Sequence, residues 1–529
     1  MQVSDYYRQV FVPANAAITA MQIAGIPVSK ERAAAQVEAW TKELKTLEKY
    51  VEEEAAQRGI ALRYSPAHSL KEEPLHDFLF ASPRGLCLEV GKQTASGKRA
   101  AMDDEAMLPY AAIGPLHRED DHPIVYALLK IRSISKAMGT HLGGLVKYCR
   151  ADGAAHPHYK WILQNTTRLS AEDPPVHQLP ERADPDVAKL VKACIVPRVE
   201  PWLGDPDDWD PREHGFVFRA DVAGAEAIIR AGCIAKCRVS VPYLQSGGDI
   251  HSRTASILYL VPEGTYKKGT NERDTVGKGC YFLFIFGGSK AALRRNMWKN
   301  ARVKLSDEES GVYHQRFFAG YADLATRYNV DTMLMFENGY VEDLYGRRWV
   351  LPPPPGVSPY WKDGELKFNL PEGSPQKRNA VWRTLENRRH IYANRPTQAS
   401  QATTTLWCIA LCHHGEYVEL QSPECLGGVP IFPEASGWAL NGGSGPGGKP
   451  MLAWTSNTVH DSLWGDGAPG YIEPTVKLIT RRFTGVPADF LIETNMPWRV
   501  GIDVGPDMGH LRPYNDVAKQ FGLEPLPKR

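Results

Sequence analysis

The sequence predicts an α/β (α+β) fold built from roughly two to four subdomains, and three observations predict it. Val217 to Asp221 reads as a buried strand that ends in a carboxylate, with Gly224 and Glu226 opening the following turn. Far downstream, Val459 and His460 lead into Asp461, where a hairpin would set a second aspartate opposite the first. Helix-like periodicity fills much of the rest. Val37, Trp40, Leu44, Leu47 and Val51 recur at three and four residues through a charged segment, and Val276–Phe286 is a second apolar run closed by Gly287 and Gly288.

Taken in order, each element carries a chemical expectation. The helix through Val37 and Val51 reads as one arm of a helical hairpin; a coiled-coil partner helix is the other reading, although five apolar positions barely span two heptads. Asp221 and Asp461 are candidate metal ligands, since two carboxylates ~4 Å apart repel by about 4 kcal/mol at an effective dielectric of 20 and need a counter-charge. Oxygen-only ligands suit a hard divalent cation such as magnesium. A turn and a cap are the bland reading of the same two residues. If Val276–Phe286 is helical, Lys278, Phe282 and Phe286 share one face, and a cation beside two rings can hold an anionic, aromatic ligand. An ordinary core helix with a snorkelling lysine is the alternative.

Composition excludes some classes. No stretch approaches 18 consecutive apolar residues and the N-terminus has no signal-peptide pattern, so no membrane partner and a cytoplasmic location are expected. Nine cysteines at irregular spacing form no CxxC pair and read as reduced buried thiols; Cys412-His413-His414 lacks the second ligand pair that zinc needs. A formal net charge of only +1 is less basic than a typical nucleic-acid-binding domain, which leaves Lys267-Lys268, Arg294-Arg295, Arg347-Arg348 and Arg481-Arg482 as local basic pairs. Trp202–Glu213, Leu351–Lys377 and Gln421–Pro450 have the composition of inserted loops.

Ten segments spread along the chain carry a resemblance. DVAGAE (221–226), RDTVGKGCYFLFIFG (273–287) and HDS (460–462) resemble motifs A, B and C of the family A DNA polymerases. MQIAGIPVSKERAAA (21–35) and GKQTASGKRAAMDDEAM (91–107) are similar to that family's thumb segments, and HPHYKWILQNTTRLSAEDPPVHQLP (156–180) to the segment leading into its palm. DIHSRTA (249–255), GYVEDLYGRRWVLP (339–352) and ANRPTQASQA (393–402) look like its finger and second palm motifs, and IDVGPDMGHL (502–511) like its closing strand. The resemblance implies a right-hand polymerase fold with an antiparallel palm sheet, helical fingers and a helical thumb. Its expected boundaries are 1–150 for the thumb with a short N-terminal segment, 151–231 for the first part of the palm, 232–390 for the fingers and 391–529 for the rest of the palm.

Residue by residue, the resemblance implies that Asp221, Asp461 and the backbone carbonyl of Val222 hold two Mg²⁺ ions. Lys278 and His251 would meet the triphosphate of an incoming dNTP, Phe282 and Phe286 its sugar and base, and Glu226 would crowd the 2′ position. Arg168, Gln178, Asn394, Gln398 and His460 would grip primer-template DNA. A DNA-templated DNA polymerase is implied, monomeric, without an exonuclease domain and hence without intrinsic proofreading, phage-like in its compactness. A separate exonuclease or other replication proteins are the expected further partners. A single-subunit RNA polymerase-like enzyme and a catalytically silent DNA-binding subunit are the alternatives.

Departures from the family pattern bear on several roles. Arg273 lies five residues before Lys278 rather than four, with Asp274 at the expected position. One extra residue rotates an α-helical side chain by about 100°, so Arg273 is expected to reach the phosphates only if the helix begins after it. Phe286 replaces a tyrosine, Ser462 a glutamate, Thr167 a glycine and His390 an arginine, and Val222, Ala223 and Gly224 stand where Tyr-Ser-Gln is usual.

Overall fold

In the computed structural model the described residues are 7–94, 97, 99–161, 168–179, 184–414, 440, 449, 451–459, 461–486 and 488–527. A five-stranded sheet lies at the centre. Its strands are β1 (Phe216–Val222), β2 (Ala453–Val459), β3 (Ser462–Gly467), β4 (Val500–Gly505) and β5 (Arg512–Pro513), in the order β2-β3-β1-β4-β5 with every neighbour antiparallel. The middle strand β1 alternates with period two. Phe216, Phe218, Ala220 and Val222 enter one apolar core, whereas Val217 enters a second core with Trp464 and Met508. Each fully buried phenylalanine contributes roughly 1.5–3 kcal/mol of apolar transfer energy, enough to fix the register, because a one-residue slip would turn both rings the wrong way. Gly465 and Gly467 in β3 sit opposite Phe218 and Phe216. A Cβ on Gly465 would lie 2.1 Å from the Trp454 carbonyl oxygen, so the close approach of β2 and the Phe218 ring requires glycine there.

Helices cover both faces. Helix α1 (Val12–Ala24) buries Ala14, Ala17, Ile18 and Met21 in the core that holds Phe216 and Phe218. The N-terminal segment is therefore part of the sheet's packing. Helix α2 (Lys30–Gln57) is capped by Ser29, whose side chain accepts from the Arg32 N–H, and packs on α3 (Pro123–Lys136) through Trp40, Leu44 and Val51, three members of the predicted stripe. The stripe therefore packs against a second helix of the same chain. Helix α4 (Ile250–Tyr259) begins at Asp249, which accepts from the N–H groups of His251 and Ser252. Helix α5 (Lys278–Ile285) continues from a π-helical turn over Glu272–Gly277, α6 (Ala322–Asn338) follows, and α7 (Pro375–His414) runs for 40 residues into the core that holds Phe216 and Phe218.

Two of the three presumed loop insertions are more ordered than their composition implies. Trp202–Glu213 is anchored by Trp209, fully buried with its indole N–H donating to the Gly215 carbonyl at 3.0 Å. Within Leu351–Lys377, Ser358–Lys362 and Glu365–Asn369 pair as an antiparallel hairpin around Asp363 and Gly364, both at positive φ. Asp-Gly favours that turn, and the alternation Pro-Tyr-Trp-Lys against Glu-Leu-Lys-Phe supplies two faces; the flanking prolines obscured both signals. Of Gln421–Pro450, only 440 and 449 are among the described residues.

Candidate active site

Strand register assembles the carboxylates. Asp221 is the penultimate residue of β1 and its Cα partner is Ser462, the residue that follows Asp461. Val459 pairs with Ser462, leaving two residues between β2 and β3, so Asp461 sits in a tight connection beside Asp221. Neighbouring Cα atoms across such a ladder are about 4.5–5.5 Å apart. Asp221 faces solvent, Asp461 is half-buried, and Val222, buried next in β1, pairs with Val500. The hairpin is held from below: the Tyr159 hydroxyl donates to Asn457 Oδ1 at 2.6 Å and His177 Nε2 to the Thr458 carbonyl at 2.6 Å.

A polar network then links the acids to the rest of the cleft. Gln401 on α7 donates from Nε2 to Asp461 Oδ2 at 2.8 Å, while its Oε1 accepts from Arg168 at 3.1 Å. Arg168 also reaches Glu226 Oε1 at 3.4 Å. Burial holds the Glu226 carboxyl above its ordinary pKa and the charge of Asp461 adds in the same sense, whereas Arg168 and Lys278 pull it down. The charges of Asp461, Glu226, Arg168 and Lys278 therefore share one site. Gln401 was given no role from the sequence. Its signal was present, since Asn394, Gln398 and Gln401 stand at i, i+4 and i+7 on one face of α7.

A cationic cluster lies on α4 and α5, with Lys278 near enough to Glu226 to lower its pKa. Lys278 opens α5 with its Nζ 6.0 Å from the Phe282 ring centroid, and Phe282 stands 5.1 Å from the His251 ring. His251 is buried, its Nδ1 has no hydrogen-bond partner among the described residues, and its pKa is lowered to about 4 by burial and by the charges of Arg273 and Lys278. Phe286 caps the far end of α5, packs against the main core, and its carbonyl accepts from His390 Nδ1 at 2.9 Å. The histidine that replaces the usual arginine thus ties α7 to the end of α5.

The helix does not begin after Arg273, the condition set for its reaching the phosphates, because a π-helical turn over Glu272–Gly277 already includes it. The Lys278 N–H donates to the Arg273 carbonyl, five residues back, so the extra residue is taken up in a π turn. Such a turn advances the chain by one more residue per turn than an α-helix and cancels most of the 100° rotation. Arg273 is returned to the side of Lys278 and His251. Its guanidinium pairs with Asp249 at 2.9 Å and with Asp274. Burial opposes ionisation of Asp274, but Arg273 and the Gly269 N–H, at 2.6 Å, hold its carboxyl below the usual range.

Of the other expected contacts, Asn394 lies on α7 with Oδ1 buried and unpartnered among the described residues, and Gln398 is half-buried one turn on. Gln178 is exposed beside His177. His460, Thr166 and Thr167 lie outside the described residues. The donor set at the acids is all oxygen, with mutually repelling carboxylates at its centre, and that chemistry fits a hard divalent cation.

Comparison with known proteins identifies the family. The family model described as DNA polymerase family A matches residues 30–414. DNA polymerase I of Streptococcus pneumoniae (strain ATCC BAA-255 / R6) is 27% identical over 333 residues, 63% of this chain and 33% of that protein. The thermostable DNA polymerase I of Thermus thermophilus is 26% identical over 265 residues, 50% of this chain and 28% of that protein. The chain thus spans about a quarter to a third of the length of the curated relatives it matches. Among solved structures, the POL domain of Pol1 from M. smegmatis, in complex with DNA primer-template and dNTP, superposes with a TM-score of 0.66 at 17% identity, covering 95% of this chain and 70% of that one. Among the described residues no helix is long and apolar enough to cross a membrane.

Proposed function

Because the chain belongs to DNA polymerase family A, we propose that it extends the 3′ end of a DNA primer on a DNA template, using dNTPs as substrates. The observation that carries this reading is the β1–β3 register, in which the partner of Asp221 follows Asp461 directly. Phosphoryl transfer asks little covalent chemistry of the protein; it asks for position and for charge aimed at the reacting phosphate. Asp221, Asp461 and the Val222 carbonyl would hold two magnesium ions, which when bound supply the charge that activates the attacking oxygen and stabilises the leaving one.

The chain's own residues do the rest. Lys278 and Arg273 neutralise the triphosphate from the α5 side, and the unpartnered Nδ1 of His251 offers a further hydrogen-bonding group. Phe282, braced against His251, gives a flat wall for the sugar and base. Glu226, held by Arg168, occupies the space a 2′-hydroxyl would need and so selects deoxynucleotides. Arg168, Gln178, Asn394 and Gln398 line the path of primer and template, where minor-groove acceptors common to all correct pairs report geometry rather than sequence.

A primer-extension gel with Mg²⁺ tests the proposal. The protein is expected to extend with dNTPs and to discriminate against ribonucleotides, and Asp221→Ala and Asp461→Ala each to lose incorporation by at least about a thousandfold while still binding duplex. Normal extension by either variant would remove the assignment. The further expectation of extension without excision is read on the same gel, as persistence of a mismatched terminus.

A further inference from the structure

We infer that the fingers hairpin at 358–369, together with the first turns of α7, binds the unpaired template strand ahead of the primer terminus. This rests on the polymerase reading above, which by itself assigns the surface nothing. Three large rings are left in water there: Trp361 is 57% exposed, Trp382 41% and Tyr360 40%. Trp382 is braced against Phe368 at 6.1 Å in a T-shaped contact, so its ring is positioned although it is not buried. Tyr360 and Trp361, adjacent in one strand, point to opposite faces of the hairpin, and Trp361 closes a cleft of about 390 Å³ against Val330 and Met333 of α6. That volume lies within the ~300–1,000 Å³ range of small-ligand sites.

Charge complements the rings. The stretch 358–383 carries five Lys and Arg against three Asp and Glu, in a chain whose overall net charge is only +1. Lys367 is paired with Glu365, but Lys362, Arg378 and Arg383 make no side-chain hydrogen bond or ion pair among the described residues. Exposed cations interleaved with exposed aromatic rings suit a single strand, which presents both phosphates and free base faces; a duplex hides the faces, and an apolar protein partner does not need the cations.

Helix α7 supplies the position. It carries Gln401 on the catalytic carboxylate, His390 on the end of the nucleotide helix α5, and then Trp382, Arg383 and Arg378. At 1.5 Å per residue the basic turns lie about 27–35 Å along the axis from Gln401, beyond α5 as seen from the acids. At ~3.4 Å per stacked nucleotide that corresponds to roughly eight to ten template positions not yet copied.

The experiment measures Kd for primer-templates whose 5′ template overhang is about 3 or about 15 nucleotides long, with extension followed on both. The full chain is expected to bind the longer overhang roughly tenfold more tightly. Trp361→Ala/Trp382→Ala should erase that increment while leaving affinity and extension on the short overhang unchanged. Arg378→Ala/Arg383→Ala should lower the slope of log K against log salt by about 0.7 for each phosphate no longer neutralised, on the long overhang only. Equal affinity for both overhangs, or an increment that survives in the tryptophan variant, overturns the inference while extension persists. Absence of extension on either substrate by the unaltered protein strikes the polymerase reading instead.

Discussion

The sheet that carries the two aspartates and the helix that carries the cations are built on different kinds of constraint. In the sheet, position comes from packing: Phe216 and Phe218 lie over glycines of β3, and a ladder so closely spaced admits one register. Around α5, position comes from charge and from a helix that tolerates an extra residue by changing its hydrogen-bond pattern for one turn. The acids are therefore rigidly placed, whereas Arg273 is held by Asp249 and Asp274, partners that a more highly charged anion can displace. Under the proposed function, a site that holds metal ligands fixed while it exchanges nucleotide would use both.

The largest effect that separates the two regions comes from a single methyl. Gly465→Ala sets its Cβ 2.1 Å from a backbone oxygen and 2.4 Å from the Phe218 ring, so β2 and β3 must part; a loss of about 3 kcal/mol or more in denaturant unfolding is expected, with incorporation falling alongside. The same change at Gly279 in α5 meets the flexible end of Met297 at 3.1 Å and should gain up to about 1 kcal/mol from helix propensity. Equal effects at the two glycines would erase the contrast.

Next in size is a pH dependence on the cationic side. His251 has its pKa depressed to about 4, so protonation favours the unfolded chain. Its contribution is intact above the ordinary value near 6.5, declines as pH falls from there toward 4, and is constant below. Over that window roughly 3 kcal/mol is at stake. The neighbouring charges are Arg273 and Lys278, which deepen the depression, and Asp249 and Asp274, which oppose it. Unfolding of the unaltered protein and of His251→Gln at pH 7 and pH 4 measures the difference, and parallel profiles would show the ring is not held neutral by its surroundings.

The smallest effect probes whether the arginine clamp is exchangeable. Asp274→Ala removes a carboxylate that shares Arg273, raising the local positive potential, and should lower KM for dNTP about fivefold with little change in kcat. A raised KM would mean that Asp274 positions Arg273 for the triphosphate rather than competing with it.

Much of the site was legible because it is written in local patterns. A strand that ends in a carboxylate, a hairpin bearing the second, and an apolar helix with Lys278 and Phe282 four apart are all periodicities of side-chain type, and the resemblance supplied their order. The direction of Arg273 was not legible because side-chain spacing converts to angle with the α-helical period; a π turn is a property of backbone hydrogen bonds that periodicity does not report. Gln401 went unassigned because what distinguishes it from other polar residues of α7 is a bond to an aspartate sixty residues away. The 358–369 hairpin was hidden by prolines on either side of an Asp-Gly turn that would otherwise announce it. Residues 7–24 showed no signal for packing beneath the sheet, since an apolar helix face does not name its partner.

What the sequence determined alone is the set of elements and the chemistry each carries, because hydrophobic period, turn residues and charge act over a few neighbours. Tertiary structure alone decided which carboxylates meet, which amide joins them, and on which side of α5 Arg273 lies. Those outcomes depend on register and on contacts between remote segments, and their energies come from packing surfaces that exist only once the chain has closed on itself.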